Sequence, residues 1–304
     1  RISMTAGAVT DQPGTLQTVI REEQSKGIHW EVELDEQTGN ILPDLTIGAD
    51  VAGVEDLEAN ADLSFRGVNV VGRGFVVSKE EARDLGLGEV EGLDAHIKPY
   101  RNGRDLSQQS RELMIIDLHE LEAEEVRERF PTVYQHVVEN VKPEREARSG
   151  ETADATEYAE NWWLFAKTRP ALREAISDLD RYIATPYVSK HRFFQFLDPS
   201  ILPDDKLVNI ALDDAWALGV LSSRVHTVWS LAAGGNQGVG NDPVYNNTRC
   251  FNPFPFPAAT ESQKATIRDL GAHLDAHRKE RLNAHDDLTM TALYNVLKKE
   301  RRDE

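Results

Sequence analysis

Phe65-Arg66-Gly67-Val68-Asn69-Val70-Val71-Gly72-Arg73-Gly74-Phe75-Val76-Val77 runs directly into Ser78-Lys79-Glu80-Glu81. β-branched and aromatic residues crowd both sides of Gly72 and Gly74, which is the composition of two strands around a turn. Ser78 stands three residues before Glu81, the spacing at which the two side chains satisfy each other's backbone N–H groups at a helix start. Strand, turn, strand and helix therefore follow in order, and an α+β fold with a mixed sheet is expected. Upstream, Ile2 to Met4 reads as a short strand. Residues 31–62 are acidic and read as loops around one strand at Leu45 to Ile47.

Downstream, Ile97-Lys98-Pro99-Tyr100 reads as extended, Asn102-Gly103 as a turn, and Leu113 to Asp117 as a buried strand. Leu118 to Phe130 is a charged helix. Pro131 opens another, with Val133, Tyr134, Val137, Val138 and Val141 on one face. Residues 144–160 are polar, without an apolar stripe, and read as a mobile linker. Pro170 starts a helix, and strands are expected at Tyr182 to Val188, His191 to Leu197 and Leu207 to Leu212. Helices over Ala215 to Leu221 and Arg224 to Ala233 end at Gly234-Gly235. Phe251 to Pro257, with three prolines, reads as a rigid strap over a hydrophobic face. Two helices fill the rest of the chain from Thr260.

The 304 residues suffice for about two domains, and 40% hydrophobic with 28% charged residues excludes a collagen-like or wholly disordered chain. The single cysteine, Cys250, excludes an internal disulfide framework and a cysteine-based zinc site, and points to a reducing compartment. No apolar run reaches the roughly 20 residues of a bilayer helix, so a cytoplasmic protein without membrane or secretory segment is expected. The start at Arg1-Ile2-Ser3 rather than methionine implies a fragment or processed product.

The net charge of −18 argues at first against DNA, whose affinity for proteins comes largely from Lys and Arg. Its distribution means that the net charge does not decide the question. Residues 1–160 hold 16 basic and 34 acidic side chains, whereas residues 161–304 hold 18 of each. Between 162 and 192, Lys167, Arg169, Arg173, Arg181, Lys190 and Arg192 outnumber Glu174, Asp178 and Asp180.

Catalytic motifs fail on inspection. His119-Glu120 lacks the second histidine of a zinc protease. Pro203-Asp204-Asp205-Lys206 lacks the following nuclease motif and reads as an exposed turn. Ser222-Ser223-Arg224 lacks the glycines of a nucleophile elbow. The glycine-rich Gly234 to Gly240 follows a helix rather than a strand, against a cofactor phosphate loop. Asn252-Pro253-Phe254-Pro255 has Phe where amino-methyltransferases need a second proline.

Several ordered blocks nevertheless resemble one family. Trp162-Trp163, Arg169-Pro170, Arg181-Tyr182-Ile183-Ala184-Thr185, Ser189-Lys190-His191-Arg192-Phe193, Leu221-Ser222-Ser223-Arg224-Val225-His226, Gly240-Asn241-Asp242-Pro243 and Phe251 to Pro257 are similar to the target-recognition region of large single-chain adenine-N6 DNA methyltransferases. These are the type IIL restriction-modification enzymes and the related methyltransferase of DISARM phage defence. Phe65 to Ala82 and Ile97 to Leu106 resemble the hand-over from the methyltransferase fold to the recognition domain, and Arg1 to Met4 a late strand of that fold. The resemblance implies a bacterial protein that binds double-stranded DNA beside an upstream methyltransferase domain. S-adenosylmethionine would bind in the parent enzyme, with no cofactor, metal or catalytic residue in this chain.

Three parts are expected: 1–110, the tail of the methyltransferase fold and a connection; 111–258, the target-recognition domain, with its linker at about 144–160; and 259–304, C-terminal helices. Base edges are read by Arg, Lys, Asn and Gln side chains with matched donors and acceptors. The candidates are Ser189, Lys190, His191, Arg192, Ser222, Ser223, Arg224, His226, Asn236, Gln237, Asn241, Asn246, Asn247 and Arg249, expected to cluster on one edge. Lys167, Arg169 and Arg173 are the phosphate candidates, and Trp162, Trp163, Trp216 and Trp229 are expected in the core. The competing reading is an assembly module, in which the acidic half and the C-terminal helices dock other defence-system subunits.

Overall fold

The computed structural model of the chain describes residues 12–24, 30–39, 41, 47, 53–237 and 242–303, which divide into two compact units, 1–54 and 55–304. In the first, β1 (Gly14–Gln24) and β2 (Trp30–Gly39) pair antiparallel, with an irregularity between Val19 and Arg21. This corrects the expectation of loops. Trp30, Val32 and Leu34 alternate with Glu31, Glu33 and Asp35 at the period of a strand, beneath a carboxylate density that reads as loop. Val19, Ile20, Trp30, Val32 and Leu34 are all exposed. Ile41 and Ile47 form a bridge. The strand expected at Ile2 to Met4 lies outside the described residues.

The second unit runs β3 (Ser64–Arg66), β4 (Val76–Val77), α1 (Lys79–Asp84), β5 (Ile97–Arg101), α2 (Gly103–Ser107) and β6 (Met114–Ile116). The helices α3 (Ala123–Arg129), α4 (Pro131–Asn140), α5 (Lys142–Glu146), α6 (Ala153–Glu160) and α7 (Pro170–Ile176) come next. They are followed by β7 (Tyr182–Pro186), β8 (Gln195–Leu197), β9 (Leu202–Pro203) and β10 (Leu207–Ile210). Last come α8 (Ala215–Leu221), α9 (Arg224–Gly234), β11 (Asn236–Gln237), β12 (Asp242–Pro243), α10 (Glu261–Ala284) and α11 (Met290–Asp303). The expected capping box is present: Ser78 Oγ accepts from Glu81 N at 3.1 Å, and Glu81 accepts from Ser78 N at 2.7 Å. Asn102-Gly103 is not a free turn. Asn102 caps α2, accepting from Arg104 N and Asp105 N.

One four-stranded sheet has the order β3-β10-β7-β8, antiparallel throughout; the other has the order β4-β6-β5-β9, with β5 and β9 parallel. Both join strands from either side of residue 110. The boundary expected there is absent, because a hydrogen-bonded strand cannot leave without exposing its backbone groups. Phe75, Ile115, Ile116, Val126, Val133, Val137, Trp162 and Phe165 form one core, and Leu106, Leu172, Tyr182, Phe193, Leu207 and Met290 another. Trp163 and Trp229 are half-buried and donate to the Leu121 and Cys250 carbonyls.

Residues 144–160 are not a linker. Arg145 is buried and its guanidinium donates to five carbonyls, those of Val70, Val71, Tyr158, Asn161 and Leu164, at 2.6–3.2 Å. Burial lowers its pKa to about 10, so it stays charged at neutral pH. One buried cation thus replaces the missing apolar stripe. It also holds Val71 at φ 40°, a left-handed conformation that a β-branched residue rarely takes.

The C-terminal helices belong to the same unit. α10 crosses α8 closely enough that a Cβ on Gly271 would lie 2.2 Å from the Ala215 carbonyl. Its side chains serve the backbone of edge strand β8: Asp275 accepts from Phe196 N at 3.1 Å, Lys279 donates to Phe196 O at 2.9 Å and Arg278 to Phe194 O at 2.9 Å. A sheet edge that would otherwise offer unpaired groups is closed. Among the described residues no helix is long and apolar enough to cross a membrane.

Candidate nucleic-acid interface

Between β7 and β8 the chain makes an excursion over residues 187–194, bound to its neighbours through the backbone. Tyr187 N donates to Lys206 O at 2.8 Å, Tyr245 N to Tyr187 O at 2.7 Å and Ser189 N to Pro243 O at 3.3 Å. The excursion, the turn at Asp204–Lys206 and the β11–β12 hairpin are therefore neighbours. Lys190, Lys206, Arg104, Asn236 and Gln237 are exposed there. Asn102, Gly103, Arg104, Val188, Asp204 and Lys206 line an open concavity beside them.

Arg192, expected among the base readers, points inward. It is 6% exposed and donates to Thr185 Oγ1 at 2.9 Å, Pro186 O at 2.5 Å and Pro243 O at 3.2 Å. Burial lowers it to about 10, leaving it charged at neutral pH. Its work is to tie the end of β7 to the hairpin. His226 is also interior. Its Nε2 lies 2.9 Å from the Tyr245 hydroxyl, and Phe254 packs edge-on against it at 4.2 Å between centroids. Burial first, and the Arg192 charge second, push its pKa down to about 3. The same cluster seats the strap: Phe251 and Phe254 are buried, and Asn60 donates to the carbonyls of Phe251, Asn252 and Phe254.

The expected single cluster is divided. Ser222, Ser223 and Arg224 lie at the start of α9, about 15 Å along its axis from the hairpin. Ser223 caps that helix by accepting from His226 N, Ser222 Oγ is buried without a partner among the described residues, and Arg224 is exposed. Asn246 caps a wide π-type turn over Asn247–Phe251, and Asn247 donates to Ser64 O at 3.3 Å. Arg249 is exposed, and Asn241 lies outside the described residues.

Two of the three phosphate candidates are occupied by carboxylates. Arg173 grips Asp117 through both terminal nitrogens at 2.7 and 2.9 Å, and Arg169 pairs with Asp205 at 3.0 Å while donating to Gly67 O. Burial alone would raise Asp117. The Arg173 bonds and the Lys98 charge overcome it and hold the carboxyl below the usual range. Lys167 stays exposed. Lys206 was not among the candidates because Asp204-Asp205-Lys206 reads as an ordinary turn, and Arg104 because Ile97 to Leu106 reads as a connection ahead of the recognition domain. Arg66 is likewise inconspicuous in the sequence, and its guanidinium lies 3.9 Å over the Tyr187 ring. Among the described residues no cluster of three His, Cys, Asp or Glu suits a metal ion.

The arrangement offers mixed donors and acceptors on a rigid frame with lysines at its margin. That suits a polar, anionic surface rather than a small-molecule cavity. No curated protein matches the chain. Among solved structures it is similar to the type IIL restriction-modification enzyme MmeI in complex with DNA, at a TM-score of 0.68 and 19% identity, over 91% of this chain and 35% of that one. The chain thus spans about a third of the length of that enzyme. The family model of the MmeI target recognition domain matches residues 56–258, two-thirds of the sequence and nearly all of the second unit short of its C-terminal helices. The chain belongs to the family of the MmeI target recognition domain.

Proposed function

We propose that residues 55–304 read the target sequence in duplex DNA for an adenine-N6 methyltransferase of a restriction-modification or phage-defence system. Membership of a target-recognition family carries this reading. The exposed Lys190, Lys206, Arg104, Asn236 and Gln237, grouped on one rigid frame, support it chemically. Asn and Gln match adenine edges, while lysines neutralise phosphates. In this reading the methyltransferase part is the partner and holds S-adenosylmethionine, no residue of this chain acts in methyl transfer, and the setting is a prokaryotic cytoplasm. The assembly reading has less support, since Met290 of α11 is buried and α10 is spent on β8.

Fluorescence anisotropy of a labelled random duplex tests the DNA reading. Binding that weakens steeply with salt is expected, with a slope reduced by about one in Lys190→Ala or Lys206→Ala. Absence of duplex binding at low salt would sink it.

A further inference from the structure

Resting on that reading, we propose that helix α11 is a positioning element for the recognition excursion, and that its Asn295 fixes His191 as a hydrogen-bond acceptor for an amino-bearing base, adenine or cytosine. His191 Nε2 lies 2.9 Å from Asn295 Oδ1. An amide oxygen only accepts, so Nε2 carries the hydrogen, and in the ring form with a single hydrogen Nδ1 is then the acceptor. No hydrogen bond reaches Nδ1 among the described residues. The ring is also stacked on Tyr294, 5.9 Å between centroids and 26° between planes.

Tyr294 is itself held. Its hydroxyl accepts from Arg278, whose other terminal nitrogen donates to Phe194 O at 2.9 Å. The foot of α11 is fixed separately. Met290 is 1% exposed, Thr291 donates to Ser107 O at 3.0 Å and accepts from Gln108 at 3.1 Å. Ser189 Oγ donates to His191 O at 2.7 Å, which fixes the backbone beneath the ring. His191 is therefore set from both sides by groups that leave one nitrogen free. In the major groove adenine and cytosine present an amino donor, whereas guanine O6 and N7 and thymine O4 are acceptors that would oppose Nδ1. α11 lies beyond residue 258, where the family match ends.

Sequencing of duplexes that the 304-residue chain retains from a randomised pool tests this, using wild type, His191→Ala, Asn295→Leu and Asn295→Ala. The expected result is one adenine or cytosine position whose discrimination falls about fivefold in His191→Ala and in Asn295→Leu. Combining the two should add nothing further. Asn295 is exposed, so these variants should unfold as the wild type does, and Asn295→Ala serves if leucine perturbs the helix. An unchanged profile in both Asn295→Leu and Asn295→Ala, with His191→Ala altered, would overturn the role of α11 and leave DNA reading intact. A weakened guanine or thymine position, or no effect of His191→Ala, would overturn the assigned polarity. A wild-type pool without enrichment would instead remove the DNA reading itself.

Discussion

Lys190 and Arg192 are two positions apart and meet opposite surroundings, one in solvent and the other bonded to Thr185, Pro186 and Pro243. Arg192→Met strands those acceptors in the interior and should cost about 3 kcal/mol in urea denaturation. Lys190→Ala should change stability by less than about 0.5 kcal/mol while lowering duplex affinity. His226 gives a second signature. Its folded pKa, about 3, lies below the unfolded value near 6.5. The unfolded chain therefore takes up a proton that the folded chain refuses, so stability is full above pH 6.5 and is lost as pH falls towards 3. Wild type should lose roughly 1.5 kcal/mol between pH 6.5 and 5 beyond what His226→Phe loses, by urea titration at each pH. Equal losses in the two proteins would contradict the buried neutral imidazole.

Segment 144–160 shows how an element can be stabilised without a hydrophobic face. Arg145→Met should leave five carbonyls without their donor, lower stability by about 3 kcal/mol or more, and speed proteolysis between Ala147 and Glu151. Unchanged proteolysis would mean that the segment is held otherwise. Its anchoring was not legible because a single arginine supplies it, and nothing in local composition marks which arginine is buried. The capping box at Ser78, the helix start at Thr260 and the proline starts of α4 and α7 were legible, since they rest on neighbours in the chain. Hairpin β1–β2 was not read from the sequence, because the density of carboxylates masks the alternation of Trp30, Val32 and Leu34.

For the whole molecule, sequence pattern indicated an α+β fold and the family resemblance a recognition domain, and the compact unit of the structure runs across the expected boundary at residue 110 and into the C-terminal helices. Side-chain direction was what the sequence left open. Arg192 and His226 share blocks with Lys190 and Arg224 yet point inward, and only packing decides that. The central claim is that this unit chooses the methylated site. Methylome sequencing of cells expressing the proposed parent methyltransferase, as wild type and with Ser189→Ala, Lys190→Ala and His191→Ala combined, tests it most directly. The account predicts a methylated motif that is relaxed or changed at one defined base position in the variant, with the rest of the motif kept. The same motif at full discrimination in both would contradict it.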